Sequence, residues 1–331
     1  MLLICYGTRP EYIKVKSLID SLPNTLTLFT GQHTNLIKEH QPTYTLQIEN
    51  TSNNRLNDII SSILKYTHIF QKVEYVLVQG DTTSALAVAL SAFNNGIKVI
   101  HLEAGLRTNI YNDPFPEEMN RQLITRLATY HLCPTEFNKQ NLIKENISPN
   151  NIFVTGNTGL DNIKKQNIEY NDNVLITLHR RDNIPMMDAW FVALWTLATE
   201  NPNLTFIFPM HPNPDIQKFK GILSVENIKV IQPVSHDEMI DLIKDCKFII
   251  SDSGGIQEEA SFLNKRVIVC RRFTERPETV GRNSIMCPEP EKLLECFQEI
   301  NTNYLINERC PYGDGFAWAK IKIIFESLGV V

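Results

Sequence analysis

No long apolar run, no excess of positive charge and no paired-cysteine motif occur in this sequence of 331 residues. A membrane-spanning helix needs about 20 consecutive apolar residues, so no membrane partner is expected. Lys and Arg total 32 against 37 Asp and Glu, a net charge of −5. That balance offers no basic surface for nucleic acid or an anionic membrane, and an anionic ligand would have to be held by a local cluster. The seven cysteines, at 5, 133, 246, 270, 287, 296 and 310, are odd in number and include no C-x-x-C. Cys5 and Cys270 fall inside apolar runs, where a free thiol behaves as a small hydrophobe, and the pattern favours a reducing compartment. Leu2–Tyr6 follows the first residue with no charged n-region or small-residue cleavage site, so no signal peptide and a cytoplasmic location are expected. There is no H-E-x-x-H and no clear helical His pair at i, i+4, so no metal is expected. The absence of G-x-G-x-x-G leaves a nicotinamide cofactor without support, and no cofactor is expected.

What is present is an alternation. Hydrophobic residues make up 43% and charged residues 21%, as in ordinary globular proteins. Short apolar runs at Leu2–Tyr6, Leu26–Thr30, Tyr75–Val78, Val99–Leu102, Ile152–Thr155, Val174–Leu178, Leu204–Phe208, Ile228–Ile231, Phe248–Ile250 and Arg266–Val269 read as strands. Helical patterns fall between most of them, including one from Pro10 with Ile13, Leu18 and Ile19 on one side and one over Leu56–Phe70. Strands separated by helices predict parallel α/β sheets, too many strands for one comfortable open sheet. The expectation is two Rossmann-like, doubly wound parallel-sheet domains, 1–168 and 169–315, divided near the polar stretch Lys164–Asn173. Ligands of such sheets sit at the carboxyl ends of strands, and the cleft between two such domains is the expected site.

The polar residues follow those strand ends. Phe248–Ile250 leads into Ser251-Asp252-Ser253-Gly254-Gly255 and then into the helix formers Gln257, Glu258, Glu259 and Ala260. Glycine tolerates a left-handed φ and leaves the backbone bare, and a helix N-terminus attracts a diphosphate. Glu258 and Glu259 are expected on the first turn of that helix, where a carboxylate can accept from ribose hydroxyls. A purely structural capping box, Ser253 with a Glu near N3, is the competing reading. Gly7-Thr8-Arg9-Pro10-Glu11 follows the first strand, with Lys14 one turn on. Gly80-Asp81, Glu103, Glu117-Glu118, His179-Arg180-Arg181 and His211 follow later strands. Each alone could be a cap, a dipole partner or a solvated charge; their recurrence at successive strand ends points to one site.

These residues resemble the non-hydrolysing UDP-N-acetylglucosamine 2-epimerases. The matching blocks include Gly7–Glu11, Gly31-Gln32-His33, Gly80–Thr83, His101–Thr108, Phe115–Arg121, Gly156–Thr158, His179–Arg181, Ser251–Ala260, Thr274–Glu278 and Pro311–Gly315. They run in family order along nearly the whole chain. The resemblance implies the glycosyltransferase-B arrangement, a UDP-sugar substrate, no cofactor, a homodimer, and a C-terminal helix (about 316–331, with Phe316, Ala319, Ile323, Ile324 and Leu328 at helical spacing) returning to the first domain. It implies Asp81, Glu103, Glu117 and His179 as the catalytic set. For UDP it implies Arg9, Lys14, Ser253, Gly254, Gly255 and Glu259. Gln32, His33, Arg181, His211 and Arg276 are further candidate contacts to the sugar or to a second nucleotide. The chain departs from the family at Thr34, Asn35 and Leu36, where an Arg-Glu-Met segment contributes to an activating second site, so weak or absent activation by substrate is expected.

The implied reaction fits the residue types. Loss of UDP places positive character on C1 and makes the C2 proton removable. Fixed donors such as the Ser253–Gly255 turn, Arg9 and His179 suit a departing diphosphate. Clustered carboxylates suit the proton. An epimerase of a modified UDP-2-acetamido sugar, a glycosyltransferase of the same fold and a catalytically dead sugar-nucleotide sensor are the alternatives. Fold alone does not separate epimerase from glycosyltransferase; the three carboxylates favour proton transfer.

Overall fold

The computed structural model describes residues 1–33 and 40–331. Among the described residues, thirteen strands form two wholly parallel sheets. The first contains β1 (Leu2–Tyr6), β2 (Leu26–Phe29), β3 (Tyr44–Thr45), β4 (Tyr75–Gln79), β5 (Lys98–Leu102), β6 (Tyr130–Cys133) and β7 (Ile152–Val154), in the order β3-β2-β1-β4-β5-β6-β7. The second contains β8 (Asn173–Thr177), β9 (Thr205–Pro209), β10 (Ile228–Ile231), β11 (Phe248–Ser251), β12 (Val267–Val269) and β13 (Ser284–Met286), in the order β10-β9-β8-β11-β12-β13. The helices of the first unit are α1 (Arg9–Ser21), α2 (Arg55–Leu64), α3 (Thr83–Asn94), α4 (Glu117–Leu127) and α5 (Glu136–Lys144). Those of the second are α6 (Met187–Glu200), α7 (Pro214–Gln217), α8 (His236–Asp245), α9 (Gly254–Phe262) and α10 (Leu293–Thr302), and α11 (Ala317–Leu328) ends the chain. Unit 1 comprises Met1–Asn162 with Tyr312–Val331, and unit 2 comprises Ile163–Pro311.

The apolar runs are continuous because helices cover both faces of each sheet. Successive side chains of β1 go to opposite faces. Leu2, Ile4 and Tyr6 join Tyr12, Val15 and Leu18 of α1 with Ile321 and Phe325 of α11. Leu3 and Cys5 join Ile59 and Ile63 of α2 with Ala85, Ala87 and Val88 of α3. In unit 2, Val174, Ile176, Phe206, Phe208, Phe248 and Ile250 pack on Trp190, Phe191 and Leu194 of α6 and Leu293 and Phe297 of α10.

Three helical expectations shift. In α1 the buried stripe is Tyr12, Val15 and Leu18, while Ile13 and Ile19 are only half-buried. In α11 the buried stripe is Ala317, Ile321 and Phe325, spaced by four; Phe316 and Ile323 are 61% and 67% exposed. Neither stripe is the one that spacing of apolar residues alone suggests, because both helices carry more apolar residues than one face holds. The predicted helix over Leu56–Phe70 is α2 followed by a separate 3₁₀ turn, Thr67–Phe70. Strands β3, β6 and β13 add to those expected. The middle of β6 is His131, whose burial breaks the apolar signature.

The sheet orders locate the ligand-binding ends. In the first sheet the direction of winding reverses between β1 and β4, and in the second between β8 and β11. Loops leaving adjacent strands at such a reversal diverge to opposite faces and open a crevice. Gly7–Thr8 and Gly80–Asp81 leave one such point; Leu178–Arg180 and Asp252–Ser253 leave the other.

Candidate active site

In unit 1, the turn after β1 is held by Glu11. Its Oε2 accepts from the N–H groups of Gly7 (2.9 Å) and Thr8 (2.7 Å), and Glu11 N–H donates to Thr8 Oγ1 at 3.4 Å. Glu11 Oε1 also accepts from Thr82 Oγ1 at 2.7 Å, and Thr82 is the N-cap of α3. One buried carboxyl therefore ties together the two turns of the switch point. Burial pushes its pKa up against those hydrogen bonds. Gly7 has to be glycine because a Cβ would lie 2.2 Å from Thr30 Oγ1 and 2.5 Å from Ser84 Oγ. Arg9, the first residue of α1, is exposed. Gln32 Oε1 accepts from Ser84 N–H at 3.1 Å, and His33 donates its backbone N–H to Gly7 O at 3.0 Å. Burial, with Arg55 second, lowers the His33 pKa. Thr34, Asn35 and Leu36 lie outside the described residues.

Lys14 and Glu103 form one unit. The ammonium lies 2.5 and 2.6 Å from the two carboxylate oxygens, and Gln79 donates to Oε2. Glu103 has φ +67°, a left-handed backbone that turns its side chain back beside Gly80, where a Cβ would be 3.6 Å from Oε2. Asp81 is bound by α4: Arg121 donates through Nε (3.1 Å) and Nη2, and Asn120 donates to the Asp81 carbonyl at 2.9 Å. Glu117 precedes Asn120 and Arg121 by three and four residues, so it shares the helix face turned to Asp81. The adjacent Glu118 is fully buried and accepts from the N–H groups of Thr108 and Asn109, from Arg121 and from Gln122 at 2.8–3.1 Å. Glu117, half-buried, is the one of the two with access to a ligand. Arg107 is spent on Glu145 and Thr125 inside the unit.

In unit 2, Asp252 is the residue that sequence reasoning passed over. It is fully buried and accepts from His179 N–H (2.9 Å), Arg180 N–H (2.8 Å) and Asn183 Nδ2 (3.0 Å). It thus binds the loop after β8 to the loop after β11. His179 Nδ1 lies 3.3 Å from Asp252 Oδ1, and its ring stacks on His211 with centroids 5.7 Å apart. Burial, with His179 second, lowers the His211 pKa. Arg181 is exposed.

Ser253 occupies the N-cap of α9 but makes no side-chain cap bond. The capping-box alternative is therefore not realised, and Glu258, buried, receives Arg276 Nε at 2.6 Å instead. Gly254 and Gly255 do not have positive φ, which corrects the expectation that a left-handed turn requires them. They matter for space. A Cβ on Gly254 would be 2.4 Å from Arg276 Nη1, whereas at Gly255 only Ser253 Oγ comes within 4.0 Å, leaving the helix N-terminus open. Arg276, a candidate ligand contact, is 5% exposed and pairs with Glu258 and Glu275. Glu259 is partly exposed, with His236 Nε2 at 2.9 Å from Oε1. Sequence reasoning missed Glu11, Gln79, Arg121, Asp252 and His236. Asp252 carried a local signal as the acid at a strand end, and Glu11 carried one as the last residue of Thr8-x-x-Glu11, the capping box that α1 forms.

The family model described as UDP-N-acetylglucosamine 2-epimerase matches residues 24–326. The chain is 38% identical to the UDP-N-acetylglucosamine 2-epimerase of Campylobacter jejuni, covering 97% of this chain and 96% of that one. Among solved structures, the UDP-GlcNAc 2-epimerase of Neisseria meningitidis bound to UDP-GlcNAc superposes with TM-score 0.90 at 34% identity over 100% of both chains. A lipopolysaccharide outer core galactosyltransferase, at 12% identity and TM-score 0.60 over 99% of both chains, shares the fold alone. The family match and the full-length similarity to these enzymes show that this chain, with its two parallel-sheet domains, belongs to the UDP-N-acetylglucosamine 2-epimerase family.

Proposed function

We propose that the protein interconverts UDP-N-acetylglucosamine and UDP-N-acetylmannosamine without hydrolysing them. The observation that carries this reading is the division of chemistry between the two switch points. Unit 2 offers an open α9 N-terminus with His179 on the neighbouring loop, suited to a diphosphate leaving group. Unit 1 offers Asp81, Glu103 and Glu117 on neighbouring strand and helix ends, suited to moving a proton. The C1–O bond breaks with its electron pair going to UDP, and a carboxylate takes the C2 proton. The C2–H electrons form the C1=C2 double bond of 2-acetamidoglucal. A UDP oxygen then adds back to C1 while C2 is protonated on the opposite face. Lys14 holds Glu103 in place through both carboxylate oxygens, and Arg121 holds Asp81 through two donors on Oδ2.

The test is incubation with UDP-N-acetylglucosamine in D₂O, followed by NMR at the anomeric and C2 positions. UDP-N-acetylmannosamine carrying deuterium at C2 is expected. Free N-acetylmannosamine appearing in step with UDP, with no nucleotide-linked product before it, would overturn the non-hydrolysing reading. An inert substrate would direct attention to a modified UDP-2-acetamido sugar.

A further inference from the structure

His236 is the first residue of α8, and its backbone is fixed by a capping box. Ser235 Oγ accepts from Glu238 N–H at 3.3 Å, and Glu238 Oε2 accepts from Ser235 N–H at 2.7 Å. From that fixed point its Nε2 lies 2.9 Å from Glu259 Oε1 on α9. An ionised carboxylate only accepts, so the imidazole is the donor. Its other nitrogen lies 4.0 Å from Asp237, whose side chain is fully exposed, too distant to compete. The His236 and Glu259 side chains are 20% and 16% exposed. They are reachable from solvent yet packed enough to stay ordered.

Glu259 stands five residues beyond Gly254 on α9, which at 1.5 Å per residue is roughly 7.5 Å along the helix axis. That is about the separation of a diphosphate from the ribose hydroxyls of the same nucleotide. A glutamate must fix three side-chain torsions before it can accept from those hydroxyls, and a partner that fixes them beforehand raises affinity. His236 engages Oε1, and among the described residues Oε2 takes no protein donor.

We infer that His236 is a positioning residue that holds the Glu259 carboxylate for the ribose hydroxyls of uridine diphosphate; this rests on the nucleotide-sugar reading above. It acts on binding through Glu259 and takes no part in proton transfer at C2.

The experiment titrates UDP and 2′,3′-dideoxy-UDP into wild type, His236→Phe and His236→Gln by calorimetry, with epimerase rates measured alongside. Wild type should prefer UDP by about tenfold or more, the scale of one charge-assisted hydrogen bond. His236→Phe should lose that preference through weaker UDP binding and a higher KM, with dideoxy-UDP affinity and kcat kept. His236→Gln, whose amide nitrogen replaces Nε2, should restore it. An unchanged preference in His236→Phe overturns the inference, and so does equal loss for both nucleotides, which marks a structural role. Turnover by a wild type indifferent to the ribose hydroxyls sinks the inference alone. A wild type that neither binds UDP nor turns over the sugar sinks the proposed function with it.

Discussion

Glu117 and Glu118 are neighbours in sequence with different work to do. Glu118 satisfies two loop N–H groups and the buried guanidinium of Arg121. In Glu118→Gln, an amide N–H₂ must face a donor and Arg121 loses part of its countercharge. Breaking a buried pair in this way costs roughly 3–5 kcal/mol. Glu117→Gln should leave urea stability much closer to wild type and lower kcat by about 10²–10⁴, the usual worth of a positioned acid or base. Equal stability losses in the two variants, or full activity in Glu117→Gln, would reverse the assignment. The same distinction separates Arg9, exposed at a helix start, from Arg107 and Arg276, whose guanidinium groups are occupied inside their units.

At the scale of an element, α9 is a helix whose first turn has been kept bare. Its two glycines make opposite predictions. Gly254→Ala drives a methyl into Arg276 Nη1, which Glu258 and Glu275 pin from the other side, so overpacking of roughly 1–3 kcal/mol is expected. Gly255→Ala meets open space. It should be neutral or stabilising by up to about 1 kcal/mol, since Ala is the better helix former. Yet its methyl would occupy the place proposed for the diphosphate, so UDP affinity should fall while thermal stability holds. Calorimetry and melting curves on the pair check this; unaltered UDP binding by Gly255→Ala would move the diphosphate elsewhere.

At the scale of the whole chain, the two most strongly depressed histidines both lie in unit 1. His101 and His131 are register partners on β5 and β6. Burial lowers the His101 pKa to about 4, opposed by its bond to Gly80 O, and lowers that of His131 to about 3, with His101 as the second cause. The unfolded chain takes up these protons near pH 6.5, and the folded chain does not. Stability is therefore complete above that pH and declines as pH falls towards the folded values, by roughly 1.4 kcal/mol per pH unit for each imidazole. Glu11 and Asp161, raised by burial, act with the opposite sign, losing stability as pH rises through their folded values. His131→Leu should flatten the slope of urea stability between pH 6 and about 4.5 by close to one proton. Hydrogen exchange should place the acid-induced opening in unit 1. An unchanged slope in that variant would refute the linkage.

The order of residues along the chain determined most of the elements and the chemical types at their ends. β1, β4, β8 and β11 announce themselves as apolar runs, because strands covered on both faces need no polar alternation. The candidates Asp81, Glu103, Glu117 and His179 stood out because each follows such a run or opens a helix, where a parallel sheet exposes its loops; Glu259 lies in the second turn of α9, beyond the first turn where it was expected. Strand β6 was not legible, since a buried histidine interrupts it, and the buried stripe of α11 could not be chosen from several apolar residues by spacing alone. Tertiary structure alone decided which strand lies beside which. That order sets β1 against β4 and β8 against β11, and so joins Lys14 to Glu103, Glu11 to Thr82 and Asp252 to His179 and Arg180 across 71–89 residues of sequence. Each of those bonds depends on two distant backbones meeting at a fixed register, and local sequence sets the conformation of each backbone but not its neighbour.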